Sequence, residues 1–525
     1  MPKLLNWLNH NLLTFIAGFL LIFIPLYPKW PLFDVLPGYN VRVRLEDILI
    51  LGTNAYFLVL VLRRKIKLSQ APLLKSISLY LLIGLLSCFS AIFITKTIYP
   101  EWIQIAKVFL HWFRRIEYFS LFFVFFFALK SPRQILKFIY ILLTAIFGVS
   151  LYGFGQKYLY WPAYSTMNRE FSKGIALYLT EHARVLSTFG GHFDLAAYIM
   201  LTIIPLILIG FLYQRRARYL VFSLALFEYW LLILTASRTS WVAYIIGLSV
   251  AFALLLFKKS WLWVISRWLV VMTVSILIMV SFGDLSERFS HILKLEGVKA
   301  LLMKPFRAPP EAGIAYDPNL TFEQQLSIVA TNSDIPPSAG RPSPSPLKPE
   351  DVYDDTYERL QAYLATVSGE TFNVSYSENA LKYGLSAGIR LDTLWPNALN
   401  ALKTNPLLGT GYSTLVKAKV WEFTIAESTD NDYLRLLGET GLLGFFSFLL
   451  IIATALKILW QALRLSNKPL HYALYISAIA ITIGLLANAI YIDVFESSKV
   501  AYTYWSFMGL VLALAYFDQH EQKSR

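Results

Sequence analysis

The sequence predicts an all-α polytopic membrane protein with about 12 transmembrane helices and a long outer-face loop that contains short helices. Three observations support this prediction. Hydrophobic residues make up 56% of the 525 residues and aromatic residues 16%, and the mean hydropathy is +0.53. Apolar runs of about 20 residues, the length needed to cross a bilayer, recur through most of the chain. Basic residues cluster in the short connections between those runs.

The charge and the cysteine content fit the same class of protein. The formal net charge is +14, but its excess lies in short loops between apolar runs. It therefore indicates membrane topology, and no nucleic-acid partner is predicted. Cys88 is the single cysteine and lies in an apolar run, which excludes an internal disulfide and a cysteine zinc site. No cofactor and no metal site is predicted.

The predicted spans follow one another as helical hairpins. They cover residues 12–28, 46–63, 76–98, 106–129, 133–154, 194–213, 217–236, 240–257, 261–282, 442–464, 471–494 and 499–517. The first follows Lys3 and could pass for a signal peptide, but no small-residue cleavage site comes after it, so we interpret it as a retained span.

Basic clusters fall on alternate connections between these spans. They comprise Arg63, Arg64, Lys65, Lys67 and Lys75; Lys130, Arg133 and Lys137; Arg215, Arg216 and Arg218; Lys258 and Lys259; and Lys457, Arg464 and Lys468. By the positive-inside rule these connections and both termini are cytoplasmic. Residues 1–282 then form a membrane domain with nine spans, 283–441 an outer-face loop, and 442–525 a membrane domain with three spans and a cytoplasmic tail.

The outer face receives residues 155–193 and the long loop, whose composition is mixed polar. Segment 305–350 is rich in proline and predicts a loose linker. Residues 354–367 and 388–402 have a helical spacing of apolar residues, which predicts short helices on the membrane surface.

Arginines are the most informative residues on the outer face, because positive charge is disfavoured there. Arg238 lies in the turn LTASRTSWVAY between the seventh and eighth spans, and Arg184 lies in HARVLSTFGGHFDLAAY just before the sixth. The two arginines flank one candidate pocket, and a planar guanidinium suits phosphate recognition. His192, in the second motif, fits packing or hydrogen bonding better than a role as a base.

Four further arginines on this face have acidic neighbours that offer a local explanation. They are Arg42 and Arg44, which could pair with Glu46 and Asp47 or reach lipid headgroups, and Arg114 and Arg115, which could offset Glu117.

Acidic and amide groups gather where the chain re-enters the membrane, in STDNDYLRLLGETGLLGFF. They are Asp430, Asn431, Asp432 and Glu439. Asp430 is either the N-cap of the following helix or a group that takes part in chemistry. Upstream, NPLLGTGYSTL is a glycine-rich turn suited to close backbone approach.

Taken in order, RVLSTFGGHFDLAAY, ASRTSWVAY, NPLLGTGYSTL and DNDYLRLLGETGLLG resemble the motifs of the O-antigen ligase and O-antigen polymerase superfamily. The resemblance covers the sixth to the tenth predicted span. Its members are multi-helix proteins of the bacterial cytoplasmic (inner) membrane. They take a glycan from an undecaprenyl diphosphate carrier on the outer face, without a metal, and pass it to a lipid A core sugar, a growing glycan or a protein. The resemblance implies a metal-independent glycosyltransferase of surface polysaccharide or lipopolysaccharide biosynthesis.

For individual positions, the resemblance implies that Arg184 and Arg238 bind the carrier diphosphate, and Arg115, on the same face, is a third candidate for this diphosphate. Arginine can stabilise a leaving diphosphate in place of a metal. The implied partners are the lipid-linked donor, a glycan or lipid-core acceptor, membrane lipids, and a chain-length regulator or other envelope assembly proteins.

An acceptor hydroxyl also benefits from a general base. Asp430 stands where ligases have a histidine, so it is the first candidate for this base, with Asp432 and Glu439 as alternates. Asn431 and Tyr433 accompany it in the motif. The missing histidine favours a polymerase over a lipid A core ligase.

Two other functional classes are also compatible with the sequence. A transporter or flippase of lipid-linked glycans predicts charged residues deep in many spans, and Glu228 is the clearest mid-span acid. A membrane anchor for an interaction domain predicts a compact fold in the long loop, which its prolines disfavour.

Overall fold

A computed structural model describes residues 2–35, 42–167, 171–180, 183–213, 216–281, 377–415 and 429–523. Almost all regular structure in these residues is helical. The helices are α1 Pro2–Leu26, α2 Leu45–Leu62, α3 Leu74–Phe89, α4 Trp102–Ala128, α5 Ile135–Tyr158, α6 His192–Leu212, α7 Ala217–Leu234, α8 Arg238–Leu255, α9 Trp261–Ser281, α10 Glu378–Tyr383, α11 Leu385–Ile389, α12 Trp395–Thr404, α13 Asp432–Leu465, α14 Pro469–Asn488 and α15 Ser498–Lys523. Strands β1 Pro31–Asp34 and β2 Arg42–Arg44 pair antiparallel.

Each predicted span coincides with a helix, namely α1 to α9 and α13 to α15. Among the described residues, 10 helices are long and apolar enough to cross a membrane. The two remaining spans fall on α1, whose apolar stretch is the shorter Asn11–Leu26, and on α4, which carries Arg114, Arg115 and Glu117. The chain is an all-α multi-pass membrane protein, and the prediction of its fold class is confirmed.

Three helices form the centre of the bundle, because they are apolar on every side and must be surrounded by protein. In α6, 94% of the most apolar 18-residue stretch is buried inside the protein. The corresponding stretches of α14 and α15 are 78% and 89% buried. Helix α15 packs on α4, and α14 packs on α8 and α6. In α2 only 17% of the corresponding 18-residue stretch is buried, so its apolar outer face is available to lipid.

The connections between helices define two ends of the bundle. We call the first the site end; among the described residues it contains segments 27–35, 42–44, 95–101, 159–167, 171–180, 183–191, 235–237 and 489–497. The second is the basic end, with residues 63–73, 129–134, 213, 216, 256–260 and 466–468. Contacts join connections that are distant in sequence at each end: Val185 N donates to Leu234 O at the site end, and Lys258 Nζ donates to Arg464 O at the basic end.

Helix α13 begins before the predicted span, which starts at residue 442. Its first turns are polar, so hydropathy alone does not detect them. They are helical because the side chain of Asn431 caps the helix by accepting from Leu434 N at 2.9 Å. Asn431 therefore holds the N-cap position considered for Asp430.

The chain divides into two compact units, residues 1–289 with 390–525, and residues 290–389. In the second unit the described residues form α10 and α11, which pack on one another. In the first unit, α12 covers the later part of the predicted helix at 388–402, from residue 395 onward. The predicted linker at 305–350 and the predicted helix at 354–367 lie outside the described residues.

Candidate functional site

The motifs singled out in the sequence converge at the site end. Val185 N donates to Leu234 O at 3.2 Å, which joins the segment before α6 to the end of α7. Asn488 Nδ2 donates to Ser240 Oγ at 3.1 Å, which joins the end of α14 to the first turn of α8. Asp432 N donates to Ala489 O at 2.9 Å, which adds the start of α13. These contacts bring the segments of Arg184, Arg238 and Asp430 to one end of the bundle.

The segment that carries Arg184 is fixed from several sides. Gln156 Nε2 donates to Ser187 O at 2.8 Å, and Ser187 Oγ donates to Val149 O at 2.7 Å. Lys499, which is buried, donates from Nζ to the carbonyl oxygens of Pro25, Tyr27 and Thr188 at 2.5 to 3.1 Å. The backbone that presents Arg184 is therefore held in one conformation.

Arg184 and Arg238 are both half-buried. Nη1 of Arg184 lies 2.8 Å from Nε2 of His192. Because a guanidinium can only donate, this His192 nitrogen accepts and the neutral ring carries its hydrogen on Nδ1. Arg238 is the first residue of α8, where the helix dipole disfavours a cation. A bound anion would relieve that electrostatic cost.

Asp430 lies in a strained turn just before α13. Its φ is +50°, in the left-handed region that a residue with a side chain seldom adopts. One carboxylate oxygen lies 2.9 Å from Nη2 of Arg390, and the Asp430 side chain is 32% exposed. The Arg390 guanidinium stacks 4.0 Å from the centre of the Tyr491 ring. Asp430 is thus a partly accessible carboxylate in an orientation fixed by a buried arginine.

Its three neighbours in the motif make contacts within the protein. The Asp432 carboxylate is buried and accepts from Phe495 N at 3.1 Å. Nδ2 of Asn431 donates to Ile490 O at 2.8 Å, and the Tyr433 hydroxyl donates to Leu486 O at 2.7 Å. These contacts attach the start of α13 to the end of α14 and to segment 489–497.

Glu439 and Arg115 belong to a buried ionic network. Nη2 of Arg115 lies 3.4 Å from Glu439 and 2.5 Å from Glu496. Nε of Arg435 lies 3.3 Å from Glu439, and Nη1 of Arg435 lies 2.9 Å from Asp493. Every charge in the network has an opposite partner, as burial requires. Of the two arginines that could offset Glu117, Arg114 does so, at 2.8 Å, whereas Arg115 faces Glu439 and Glu496.

A break in helix α13 lies beside this ionic network, and the glycine-rich turn at 405–415 packs against the break. Gly441 interrupts α13 with φ of +66°, and a Cβ there would lie 2.4 Å from the Leu407 carbonyl carbon. The backbone groups released by the break are paired across the two segments: Leu442 N donates to Pro406 O, and Gly411 N donates to Glu439 O. The close approach expected of NPLLGTGYSTL is therefore made to α13.

Tyr412 belongs to the same glycine-rich turn and contacts Arg115. Its ring lies 4.4 Å below the Arg115 guanidinium, and burial raises the pKa of the Tyr412 phenol well above its usual range. Tyr412 therefore supports Arg115 as a neutral aromatic ring.

A polar cavity of about 270 Å³ also opens at the site end. We call it the basic cavity, because five of its lining residues are cationic. It is lined by Lys29, Arg42, Arg44, Leu110, His111, Arg114, Tyr118, Thr166, Asp194, Arg435, Glu496, Ser497 and Ser498. Arg184, Arg238 and Asp430 are not among the residues that line it.

Sequence reasoning did not include this cavity in the site. The sequence allows Arg42 and Arg44 either to pair with Glu46 and Asp47 or to reach lipid headgroups. Arg42 lies 2.6 Å from Asp34 instead, whereas Arg44 does approach Glu46, at 3.9 Å. Lys29 was not considered at all. Its position just after the first span, at the predicted outer face, is the signal that could have drawn attention to it.

Residues 360–449 match the family model described as O-antigen ligase. This stretch contains Arg390, Asp430 and Glu439 and ends within α13. No curated protein matches the chain.

Proposed function

We propose that this chain, whose residues 360–449 match the O-antigen ligase family model, is a member of the O-antigen ligase and O-antigen polymerase superfamily and transfers a glycan from an undecaprenyl diphosphate-linked donor to an acceptor glycan. The reaction takes place at the outer face of the bacterial cytoplasmic membrane, with the site end outside and the basic end and both termini inside. The abundance of lysine and arginine at the basic end supports this orientation.

The observation that carries the proposal is the convergence of two half-buried arginines with a partly exposed carboxylate. Arg184 and Arg238 lie on segments joined by the hydrogen bond from Val185 N to Leu234 O, and both are assigned to the donor diphosphate. Arg115 is assigned a supporting role, because its guanidinium already faces Glu439 and Glu496.

The reaction follows from these assignments. An acceptor hydroxyl oxygen attacks the anomeric carbon of the donor sugar and forms the new glycosidic bond. The bond from that carbon to the diphosphate oxygen breaks, and the electron pair leaves with undecaprenyl diphosphate. Arg184 and Arg238 stabilise the charge that develops on the leaving group, without a metal. Asp430 accepts the hydroxyl proton, with Asp432 and Glu439 as buried alternates.

The accessible carboxylate favours Asp430 among the three candidates. Asp432 and Glu439 are buried and already accept backbone hydrogen bonds, from Phe495 N and Ser413 N. Because the base is not a histidine, we propose a growing surface glycan as the acceptor, and hence a polymerase.

The test is transfer of a labelled glycan from undecaprenyl diphosphate by the purified full chain, with and without EDTA. The variants are Arg184→Ala, Arg238→Ala and Asp430→Asn, with Lys258→Ala at the basic end as the matched control. We expect a product ladder that persists in EDTA, is lost in the first three variants and is retained in the control.

Other outcomes would revise the proposal. A single transferred unit would indicate a ligase. Normal transfer by both arginine variants would refute the donor assignment. Movement of intact lipid-linked glycan across vesicles, without release of the carrier diphosphate, would establish the flippase alternative.

A further inference from the structure

The basic cavity has the composition of a second anion site, separate from the two donor arginines. Its cations come from segments 27–35 and 42–44, α4 and α13, whereas Arg184 comes from the segment before α6 and Arg238 from the first turn of α8. Its volume of about 270 Å³ lies just below the range of typical small-molecule pockets, so it suits one monosaccharide-sized group.

Lys29 and Arg44 share one carboxylate, Glu46, as their direct contact. Nζ of Lys29 lies 2.7 Å from the buried Glu46 carboxylate, and Nη1 of Arg44 lies 3.9 Å from the same oxygen. Asp194, which also lines the cavity, interacts with both cations through space. Burial lowers the pKa of Lys29, and the nearby Glu46 charge raises it.

Arg44 is the cation best placed to bind a ligand. Its side chain is only 14% exposed, and its contact with Glu46 is longer than a hydrogen bond. Its buried Nε has no hydrogen-bond partner among the described residues. A buried donor without a partner is costly, and an anion in the cavity would satisfy it.

Two carboxylates, Asp194 and Glu496, and several neutral hydroxyl groups share the lining with the five cations, so positive charge exceeds negative charge there. Thr166, Tyr118, Ser497 and Ser498 border the same space. Hydroxyls can both donate to and accept from the hydroxyls of a sugar, whereas the cations select a negatively charged group. The combination fits a sugar that bears an acidic group better than a bare inorganic anion.

We propose that the basic cavity binds an acidic sugar of the acceptor glycan, one that carries a carboxylate or a phosphate. This inference rests on the proposed transferase function and names the class of its acceptor. Arg435 and Glu496 line the cavity, and Arg435 lies on the first turns of α13, close in sequence to Asp430. An acceptor held there can present a hydroxyl toward the start of α13 while the donor occupies Arg184 and Arg238.

The first test measures binding without the reaction. The purified full chain is titrated with glucuronic acid, glucose 6-phosphate and glucose, and the thermal unfolding midpoint is followed. We expect the midpoint to rise with at least one of the two acids and not with glucose, and the stronger acid identifies the group as carboxylate or phosphate. Arg44→Gln should weaken binding of that acid by about tenfold or more.

Two controls separate this site from the donor site and from general charge. Arg184→Gln and Lys258→Gln should both retain the midpoint shift seen with the acidic sugar. Arg42→Gln is the second cavity variant, and it keeps the test valid if Arg44→Gln does not fold. Equal shifts for glucose and both acids, no shift with either acid, or loss of the shift in Arg184→Gln alone would overturn the proposal.

A second test uses transfer itself and separates the two proposals. With wild type active, Arg44→Gln should raise the KM for an acidic acceptor and leave the KM for the lipid-linked donor unchanged. A raised donor KM would make the cavity part of the donor site and overturn the inference. Absence of transfer by the wild type would refute the proposed function, and the binding result would still decide whether the cavity takes acidic sugars.

Discussion

The two ends of the bundle use basic residues in different ways. At the basic end, Lys468 is 52% exposed and pairs with Glu521, which is itself 43% exposed. At the site end, Lys499, Arg115 and Arg435 are buried, and each binds several carbonyl or carboxylate groups. Exposed charges set the orientation of a chain in the membrane at little energetic cost, whereas buried charges require a complete set of partners. A cation that is buried at the site end therefore indicates that the protein holds a set of partner groups in place around it.

The largest expected difference between the two ends is in activity. Arg184→Ala or Arg238→Ala should reduce kcat/KM for glycan transfer by about 100- to 1000-fold, the range for loss of one preorganised donor to a developing anion. Lys258→Ala at the basic end should change it less than about twofold, since surface charges rarely affect a distant reaction. Steady-state transfer rates measure both, and equal losses at the two ends would refute the assignment.

Lys499 at the site end is the buried counterpart of the exposed Lys468 at the basic end. Lys499→Met keeps the length of the side chain but leaves the carbonyls of Pro25, Tyr27 and Thr188 without their donor. We expect the free energy of unfolding to fall by about 3 kcal/mol, because hydrogen bonds to charged groups are among the strongest. Denaturant unfolding in detergent measures it, and an unchanged midpoint would contradict the role of Lys499 in holding the Arg184 segment.

The break in α13 gives a third test. Gly441→Ala places a side chain at φ of +66° and against the Leu407 carbonyl group, so we expect a loss of about 1 to 3 kcal/mol in stability. Gly52→Ala in α2 is the matched control, since within the described part of the chain its added Cβ meets no atom within 4 Å beyond its chain neighbours and its own helix backbone. Thermal unfolding of both variants tests whether the break is required, and a Gly441→Ala protein as stable as the control would show that it is not.

The smallest effect is expected for Lys468→Met at the basic end. Its ion pairs with Glu521 at 2.8 Å and Asp518 at 3.6 Å are open to solvent. We expect a change of only a few tenths of a kcal/mol, and less at high salt. If Lys468→Met lowered the free energy of unfolding as much as Lys499→Met does, the contrast between the two ends would be refuted.

The membrane helices were predictable because hydropathy is a local property of the sequence. All 12 predicted spans lie on helices, including those on α1, whose apolar stretch is shorter, and on α4, which carries Arg114, Arg115 and Glu117. The early start of α13 was missed, because its first turns are stabilised by segment 489–497 and not by their own hydropathy.

The side-chain partners at the site end were much less predictable. Lys29 contacts Ser498, and Arg115 contacts Glu496, across most of the length of the chain. Periodicity and local charge patterns contain no information about such pairs. The motifs indicated which segments matter, but the division of Asp430, Asn431 and Asp432 into a partly exposed carboxylate, a helix cap and a buried acceptor depends on Arg390, Ile490 and Phe495.

The central claim is that Arg184 and Arg238 bind the diphosphate of the lipid carrier. The most direct test is titration of the purified protein with undecaprenyl diphosphate, with the uncharged alcohol undecaprenol as the reference ligand. We predict that wild type and Lys258→Ala bind the diphosphate much more tightly than the alcohol. In Arg184→Ala and Arg238→Ala this preference should fall by about tenfold or more. An undiminished preference in both arginine variants would contradict the account.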